Sequence, residues 1–500
     1  MCGITGVWGQ NNPILVKSMM DSIAHRGPDA EGMYAPANQS GNLGHRRLSI
    51  MDPKGGDQPI YGEVPTRAII ANGEIYNFPQ LRSSLQQQSD FQTSSDSEAI
   101  LRLYEDRGVS AIEELDGMYA FAIADGEKLF VARDPLGIKP LYYGEIEGAW
   151  VFASELKAIS QHCQNVREFP PGSYYHSDKG FSTFYSVPDL YPDSNVDVEE
   201  LIKRVRQTVE ESVIKRLMSD VPLGAFLSGG LDSSIIAAVA KQHKKQLHTF
   251  SVGIGDSRDL EAARKVSAHI GTIHHEYIIT PEEVNAKLPE IIYYLESFDQ
   301  DLVRSAIPCY FTSRMAAEYV KVILTGEGAD ELFAGYTYYK DIPDEDVLHK
   351  ELRRSVSSLH NINLQRVDRM TMAHAIEGRV PFLDLNMIEL GQQIPANLKL
   401  VGEPLVEKWI LRKAFEDMLP SEIVWRKKEQ FDEGSGTVDM LSELLSHKMT
   451  QAQAQEYQAK HPEVTLRSPE ECFYHNIFMD VFENHEVVSS NVARWSERPV

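Results

Sequence analysis

Ser228-Gly229-Gly230-Leu231-Asp232-Ser233-Ser234 constrains this chain more than any other stretch. It follows the apolar run Val221 to Leu227, which reads as a short strand, and opens the apolar helix Ser233 to Lys241. Glycines at a strand-to-helix turn let successive backbone N–H groups close around an anion, and the helix dipole favours negative charge there. No lysine follows the glycines, so this is not a lysine-bearing P-loop. The plain alternative is a glycine-rich turn with Asp232 at a helix start, where aspartate is common. The full pattern weighs against it.

The chain beyond this loop repeats the alternation. Leu247 to Val252 reads as a strand, Asp259 to Ile270 as a helix, and Val322-Ile323-Leu324 as a third strand. Strand–helix–strand order predicts a parallel sheet with helices on both faces. The third strand runs into Thr325-Gly326-Glu327-Gly328-Ala329-Asp330-Glu331. Ligands of open α/β sheets sit beyond the carboxyl ends of the strands, so both loops are expected on one edge. A solvated helix N-terminus would also attract these carboxylates. Ahead of the sheet, Leu201, Val205, Val209, Val213 and Leu217 recur every four residues, which predicts an amphipathic helix over Val198 to Met218.

The N-terminal part reads differently. Arg67 to Ala71, Ala120 to Ala124 and Lys128 to Ala132 are short apolar runs bounded by Gly, Asn and Asp, as buried strands are, with a helix predicted from Ser97 to Arg107. The polar stretch Tyr185 to Asn195 carries Pro188 and Pro192 and reads as a linker. A chain of 500 residues exceeds one ordinary core. The expected organisation is residues 1–185, a linker over 186–197, and residues 198–500. From about Thr437 onward the sequence is helical and polar and says little.

A net charge of -24 argues against nucleic acid or an anionic membrane surface as partner. No apolar run approaches the roughly 20 residues of a membrane span, and no signal peptide is visible. Cys2, Cys163, Cys309 and Cys472 are scattered, which fits neither a disulfide framework nor a metal-ligand pattern. A cytoplasmic setting is the expectation. His274 and His275 have no Cys or second His pair nearby and read as a polar strand end rather than a metal site.

Cys2 raises a separate possibility. Removal of Met1 would place a free α-amine on the residue that bears the thiol, and an amine of pKa about 7.7–8 has enough neutral form to serve as its base. A cysteine at position 2 could equally be chance. Downstream, however, stand His25-Arg26-Gly27-Pro28-Asp29, Gly44 to Ile50 with Arg47, Asn72-Gly73-Glu74-Ile75-Tyr76-Asn77, and Ser95-Asp96-Ser97-Glu98. In these motifs, in this order, the sequence from Met1 to about Tyr185 resembles the class II glutamine amidotransferase domain. That resemblance implies an α+β N-terminal-nucleophile fold of stacked antiparallel sheets with outer helices. It further implies that Cys2 attacks L-glutamine, that Arg47 holds the substrate carboxylate, that Glu74 and Asp96 pair with its ammonium, and that Asn72 and Gly73 form the oxyanion hole. The plain reading of Asn72-Gly73 is a tight turn, and of Arg47 and Asp96 surface charge.

The 228–234 loop resembles the pyrophosphate loop of the ATP pyrophosphatase family, an α/β fold of the adenine nucleotide α-hydrolase-like kind. The resemblance implies that Ser228, Gly230, Asp232, Ser233 and Ser234 surround pyrophosphate and that the backbones of Leu227 and Val252 frame adenine. It adds Thr325 and Gly326 to the ATP site, makes Asp232 and Asp330 ligands of Mg²⁺, and sets Glu327 where an acceptor carboxylate is adenylated. Gly378-Arg379-Val380-Pro381-Phe382-Leu383-Asp384 and Trp425-Arg426-Lys427-Lys428-Glu429-Gln430-Phe431 are similar to segments of the asparagine synthetase family. There Lys428 is expected on the leaving phosphates, and Lys427 on the solvated surface. The family reading implies L-glutamine, L-aspartate and ATP as substrates, with Arg304 binding the acceptor; a homodimer is compatible with it. Before Arg304 some members carry two threonines, where this chain has Asp301 and Leu302. Asp301 is open to two readings, pairing with an acceptor ammonium or with Arg304. Another carboxylate acceptor, a ring-closing enzyme like the β-lactam synthetases, and a non-catalytic binding protein remain the alternatives. The intact Cys2 speaks against ring closure, and the complete set of carboxylates against a non-catalytic protein.

Overall fold

The computed structural model describes residues 2–85, 90–192, 196–255, 257–428, 431–446 and 448–494. Met1, Glu429, Gln430 and positions 193–195 of the expected linker lie outside them.

The antiparallel strands are β1 (Gly3–Trp8), β2 (Ala30–Tyr34), β3 (Gly41–Arg47), β4 (Ile60–Tyr61), β5 (Arg67–Ile75), β6 (Gly117–Asp125), β7 (Lys128–Arg133), β8 (Tyr142–Ile146), β9 (Ala149–Ala153), β10 (Arg167–Glu168), β11 (Ser173–His176) and β12 (Gly180–Thr183). They form two six-stranded sheets, ordered β10-β8-β9-β1-β3-β2 and β12-β11-β7-β6-β5-β4. Strand alternation decides what each side chain meets. In β6, Ala120, Ala122 and Ala124 join Ile4, Leu43, Ile70 and Phe152 in the apolar layer between the sheets. Tyr119, Phe121 and Ile123 face the other way, onto Ile100, Leu101 and Leu103 of the helix Asp96–Arg107. A strand buried on both faces is why this run reads as continuously apolar.

The second half holds β13 (Leu223–Phe226), β14 (His248–Gly253), β15 (Ile273–Ile278), β16 (Val322–Leu324) and β17 (Glu377–Arg379), a parallel sheet ordered β15-β14-β13-β16-β17. Leu201, Val205, Val209 and Val213 of the helix Val198–Lys215 pack with Leu223, Ala225, Val322 and Leu324 on one face. Phe250, Val252 and Ile323 meet the helix Gln300–Ala316 on the other. The expected helix stops at Lys215 rather than Met218, where Arg216 turns inward onto Asp384 at 2.9 Å.

Two strands were invisible to apolar patterning. β15 is an edge strand of sequence Ile-His-His-Glu-Tyr-Ile, and β17 is Glu-Gly-Arg, buried only because its charges are paired. His274 and His275 lie within β15 rather than at a strand end; His275 Nε2 is 2.9 Å from His248 Nδ1, and no group of three metal-capable side chains exists among the described residues. The segment beyond Thr437 also does more than its polarity suggests, since Tyr474 and Phe478 of the helix Pro469–Val481 are buried in one cluster with Phe298. No described helix is long and apolar enough to cross a membrane.

Candidate functional site

The first cluster lies where β1, β3 and β5 meet. Cys2 precedes β1 and is 8% exposed; burial pushes its thiol pKa up, and its Sγ lies 3.9 Å from the Leu48 carbonyl. Its backbone N–H donates to Asn72 Oδ1 at 2.9 Å. The Asn72 Nδ2 atom is buried with no partner, a free donor beside the sulfur-bearing residue. Asn72 and Gly73 are not a turn: they sit inside β5, opposite Ala120 and Tyr119. Gly73 is required because a Cβ there would lie 2.1 Å from the Met118 carbonyl.

Asp96 opens the helix Asp96–Arg107, accepts from Ile75 N at 2.8 Å, and is raised by burial to about 6. Glu74 is also buried, and burial carries its carboxyl well above the usual range despite Arg379 Nη2 at 2.8 Å. Its Oε1 atom has no partner. Arg47 holds its own loop, donating to Asp57 Oδ1 at 2.6 Å and to the Asp52 carbonyl at 2.7 Å.

The second cluster lies where β13 and β16, hydrogen-bonded neighbours in the middle of the parallel sheet, release their loops. Gly229 has φ +73°, and a Cβ on it would lie 2.5 Å from Ala263 N. A Cβ on Gly326 would sit 3.0 Å from Ser233 N, so the two loops touch. The helix Leu231–His243 begins with no side-chain cap, leaving its amides to the cavity. A cavity of about 320 Å³ runs past Leu227, Ser228, Gly230, Asp232, Ser233, Val252, Thr325, Gly326, Glu327, Asp330 and Lys428, all predicted from the sequence. Such a volume suits a small-molecule site.

Charge in this cavity converges. Lys408 Nζ contacts Asp232 Oδ2 at 2.5 Å and Asp330 Oδ1 at 2.6 Å, and Lys428 Nζ reaches Asp330 Oδ2 at 2.9 Å. Burial opposes the charge on Asp330, but the two ammonium groups hold its pKa below the usual carboxylate range. The Asp232 Oδ1 atom is buried without a partner. Glu327 is paired with Arg366. Next to Asp330, burial lifts Glu331 to about 7, and it accepts from Tyr336 Oη at 2.6 Å and Asn363 Nδ2 at 3.2 Å.

Several expectations need correction. Arg304 is not part of the cavity wall: its guanidinium is closed on Glu470, at 2.8 Å from Nε and 2.5 Å from Nη2. Asp301 is in the wall but pairs with Arg467, not Arg304. Lys427 is exposed yet also lines the cavity. Ser234 is fully buried outside the wall, its hydroxyl unpartnered. Lys408, Tyr336, and Asn363 with Arg366 on one helix were missed; none lies in either glycine-bearing loop, and folding gathers them.

Buried charges join the clusters. Arg26 donates to the Cys2 carbonyl at 3.0 Å, to Glu155 at 2.6 Å, and to Asp368 at 2.7 and 3.1 Å. Asp368 lies on the helix Asn363–Met372, one residue after Val367 and two after Arg366, which line the cavity. Arg379, which grips Glu74, also receives Thr325 N on its carbonyl at 2.9 Å.

Comparison with known proteins agrees with this two-part layout. The family model described as glutamine amidotransferase domain matches residues 1–196, and that described as asparagine synthase matches residues 204–344 and 340–497. The chain is 39% identical to asparagine synthetase B (glutamine-hydrolyzing) of Escherichia coli K12, over 96% of this chain and 91% of that protein. It is 38% identical to asparagine synthetase (glutamine-hydrolyzing) 2 of Oryza sativa subsp. japonica, over 96% and 86% respectively. Against asparagine synthetase (glutamine-hydrolyzing) 3 of Arabidopsis thaliana the identity is 38%, over 96% and 88%. With both halves matched in order and relatives 38–39% identical over 96% of its length, the chain belongs to the asparagine synthetase family.

Proposed function

We propose that this protein makes L-asparagine from L-aspartate, with ATP as the energy source and L-glutamine as the nitrogen donor. The observation that carries the reading is the meeting of Asp232 and Asp330, from separate loops at one sheet edge, on a single ammonium at 2.5 and 2.6 Å. We assign glutamine hydrolysis to residues 1–185 and synthesis to residues 198–500, joined by 186–197.

With Met1 removed, the Cys2 amine accepts the thiol proton and Sγ attacks the side-chain amide carbon of glutamine. Asn72 Nδ2 and the Gly73 N–H stabilise the oxyanion; the C–N bond then breaks, ammonia leaves, and water releases glutamate from the thioester. Arg47 holds the substrate carboxylate, while Asp96 and the free Oε1 of Glu74 take its ammonium. In the cavity a β-carboxylate oxygen of aspartate attacks the α-phosphorus of ATP, and pyrophosphate departs toward Lys428. The backbones of Leu227 and Val252 frame adenine; Ser228, Gly230, Ser233, Thr325 and Gly326 line the phosphates, with Ser234 beneath them. Ammonia then attacks the acyl carbon and AMP leaves, with Glu327 taking the proton.

Asp232 and Asp330 fit Mg²⁺, which takes one or two carboxylates along with phosphate and water oxygens, and the orphaned Asp232 Oδ1 supplies a ready ligand atom. A bound Mg²⁺ would neutralise phosphate charge. A second acceptor reading rests on Asp301 and Leu302 in the wall. Pyrophosphate release is to be measured with a panel of carboxylates under saturating ATP and ammonia. A saturable response to aspartate is expected; its absence overturns the assignment.

A further inference from the structure

Asp301, Ser305, Cys309 and Thr312 recur every three or four residues on the helix Gln300–Ala316 and, with Leu302, form its cavity-facing stripe. Among the described residues, Asp301 is the one charge this helix brings to the wall. Its carboxylate is fixed by a residue remote in sequence: Arg467 Nη1 reaches Asp301 Oδ2 at 2.8 Å. Arg467 is itself anchored by Asp299 at 3.0 Å and Glu471 at 2.8 Å, and Arg494 braces Glu471 from the other side at 2.6 Å.

These carboxylates differ in exposure. Asp299 and Glu471 are 1% and 0% exposed, whereas Asp301 is 41% exposed. The first two are internal struts, while Asp301 faces open space within reach of a solute. Of the cations in the cavity wall, Lys408 and Lys428 stand on Asp232 and Asp330 of the two phosphate-side loops, while Arg366, Arg412 and Arg426 are paired with Glu327, Glu407 and Asp259. Arg304, one turn from Asp301, has Glu470 on both its Nε and Nη2, whereas Asp301 shares Arg467 with Asp299 and Glu471. The helix start therefore offers an acceptor a carboxylate rather than a guanidinium, which suits a cationic group on the acceptor.

We propose that Asp301, oriented by Arg467, binds the α-ammonium of the acceptor and selects an amino acid over a plain dicarboxylate of the same length; this rests on the cavity being the synthetase site. Asp301 is the specificity-determining residue, and Arg467 is a positioning residue that the C-terminal segment delivers. A charge-assisted contact of this kind should be worth about ten- to a hundredfold in acceptor affinity.

The test uses the full chain with saturating ATP and ammonia, reading pyrophosphate release against L-aspartate. Succinate, which lacks the amine but keeps both carboxylates, serves as competitor. Asp301→Asn should raise the aspartate KM about tenfold or more, with kcat within a few-fold and succinate inhibition unchanged or stronger. Arg467→Gln should shift KM the same way by less, and Arg467→Lys should recover most of it. Glutamate release from glutamine, unchanged in all three, reports intact folding. An unaltered aspartate KM in Asp301→Asn, or a parallel weakening of aspartate and succinate, overturns the proposal. Wild type that shows no response to aspartate at all instead overturns the acceptor assignment on which it rests.

Discussion

Around Cys2 the charged groups are built into the protein: Glu74 is held by Arg379 and Arg26 by Glu155 and Asp368, with Glu74, Arg379, Arg26, Glu155 and Asp368 all at least nine-tenths buried. In the cavity of the second half the charges are paired directly but lie at a partly open wall, with Lys408 and Lys428 on Asp232 and Asp330, whose side chains are 15% and 18% exposed. The difference has a physical basis. A site that binds a small zwitterion needs a few preset partners and profits from low dielectric. A site that takes in a polyanion must present cations and carboxylates that can rearrange when phosphate charge and metal arrive. It also means that part of the first site is held by the second half, because Asp368 and Arg379 both lie there.

The sharpest way to break the comparison is chemical. Cys2→Ala should reduce glutamine-dependent glutamate release to background while ammonia-dependent pyrophosphate release stays within about twofold. Comparable glutamine hydrolysis in the variant would remove Cys2 from the mechanism. Asp232→Asn and Asp330→Asn should each lower pyrophosphate release by about a hundredfold or more and leave glutamate release unchanged. Equal loss of both activities would signal misfolding rather than a lost ligand.

A third change tests the joint itself. Asp368→Asn leaves the buried Arg26 without its bidentate partner, and breaking a buried pair costs about 3–5 kcal/mol. A lower urea midpoint with both activities reduced is expected; an unshifted midpoint would show that the interface charges hold nothing.

The fourth is pH dependence. Asp96 is raised to about 6 by burial, so it loses its charge as pH falls below that value. The kcat/KM for glutamine should then drop about tenfold per unit below pH 6, since that ratio reports the free enzyme. Stability runs the other way. The raised folded pKa means that the neutral acid favours the fold: the contribution is full below about pH 3.9, the unfolded value, and is lost as pH rises through 6. A flat profile between pH 5 and 7, or the same slope in Asp96→Asn, would detach the effect from Asp96. The smallest expected effect belongs to Arg304→Ala. Its guanidinium is spent on Glu470, so the aspartate kcat/KM should change by no more than about threefold. A tenfold fall would return Arg304 to the acceptor site.

Local rules account for the features that the sequence alone determined. The continuous apolar runs of β5 and β6, the four-residue spacing of Leu201 to Val213, and two glycine-bearing loops after strands are set by neighbours in the chain, and all appear where patterning put them. Ser228, Gly230, Asp232, Thr325, Gly326, Glu327 and Asp330 of those loops line one cavity. The plain reading of Asn72-Gly73 as a turn fails because its glycine answers not to local geometry but to the Met118 carbonyl of the adjacent strand. Tertiary structure alone decided the pairings: Lys408 with Asp232, Arg366 with Glu327, Glu74 with Arg379, and Arg467 with Asp301. In those pairs the partners stand 176, 39, 305 and 166 residues apart. A side chain's charge is written in the sequence, but its partner is whichever opposite charge the packed core forces into the same desolvated space.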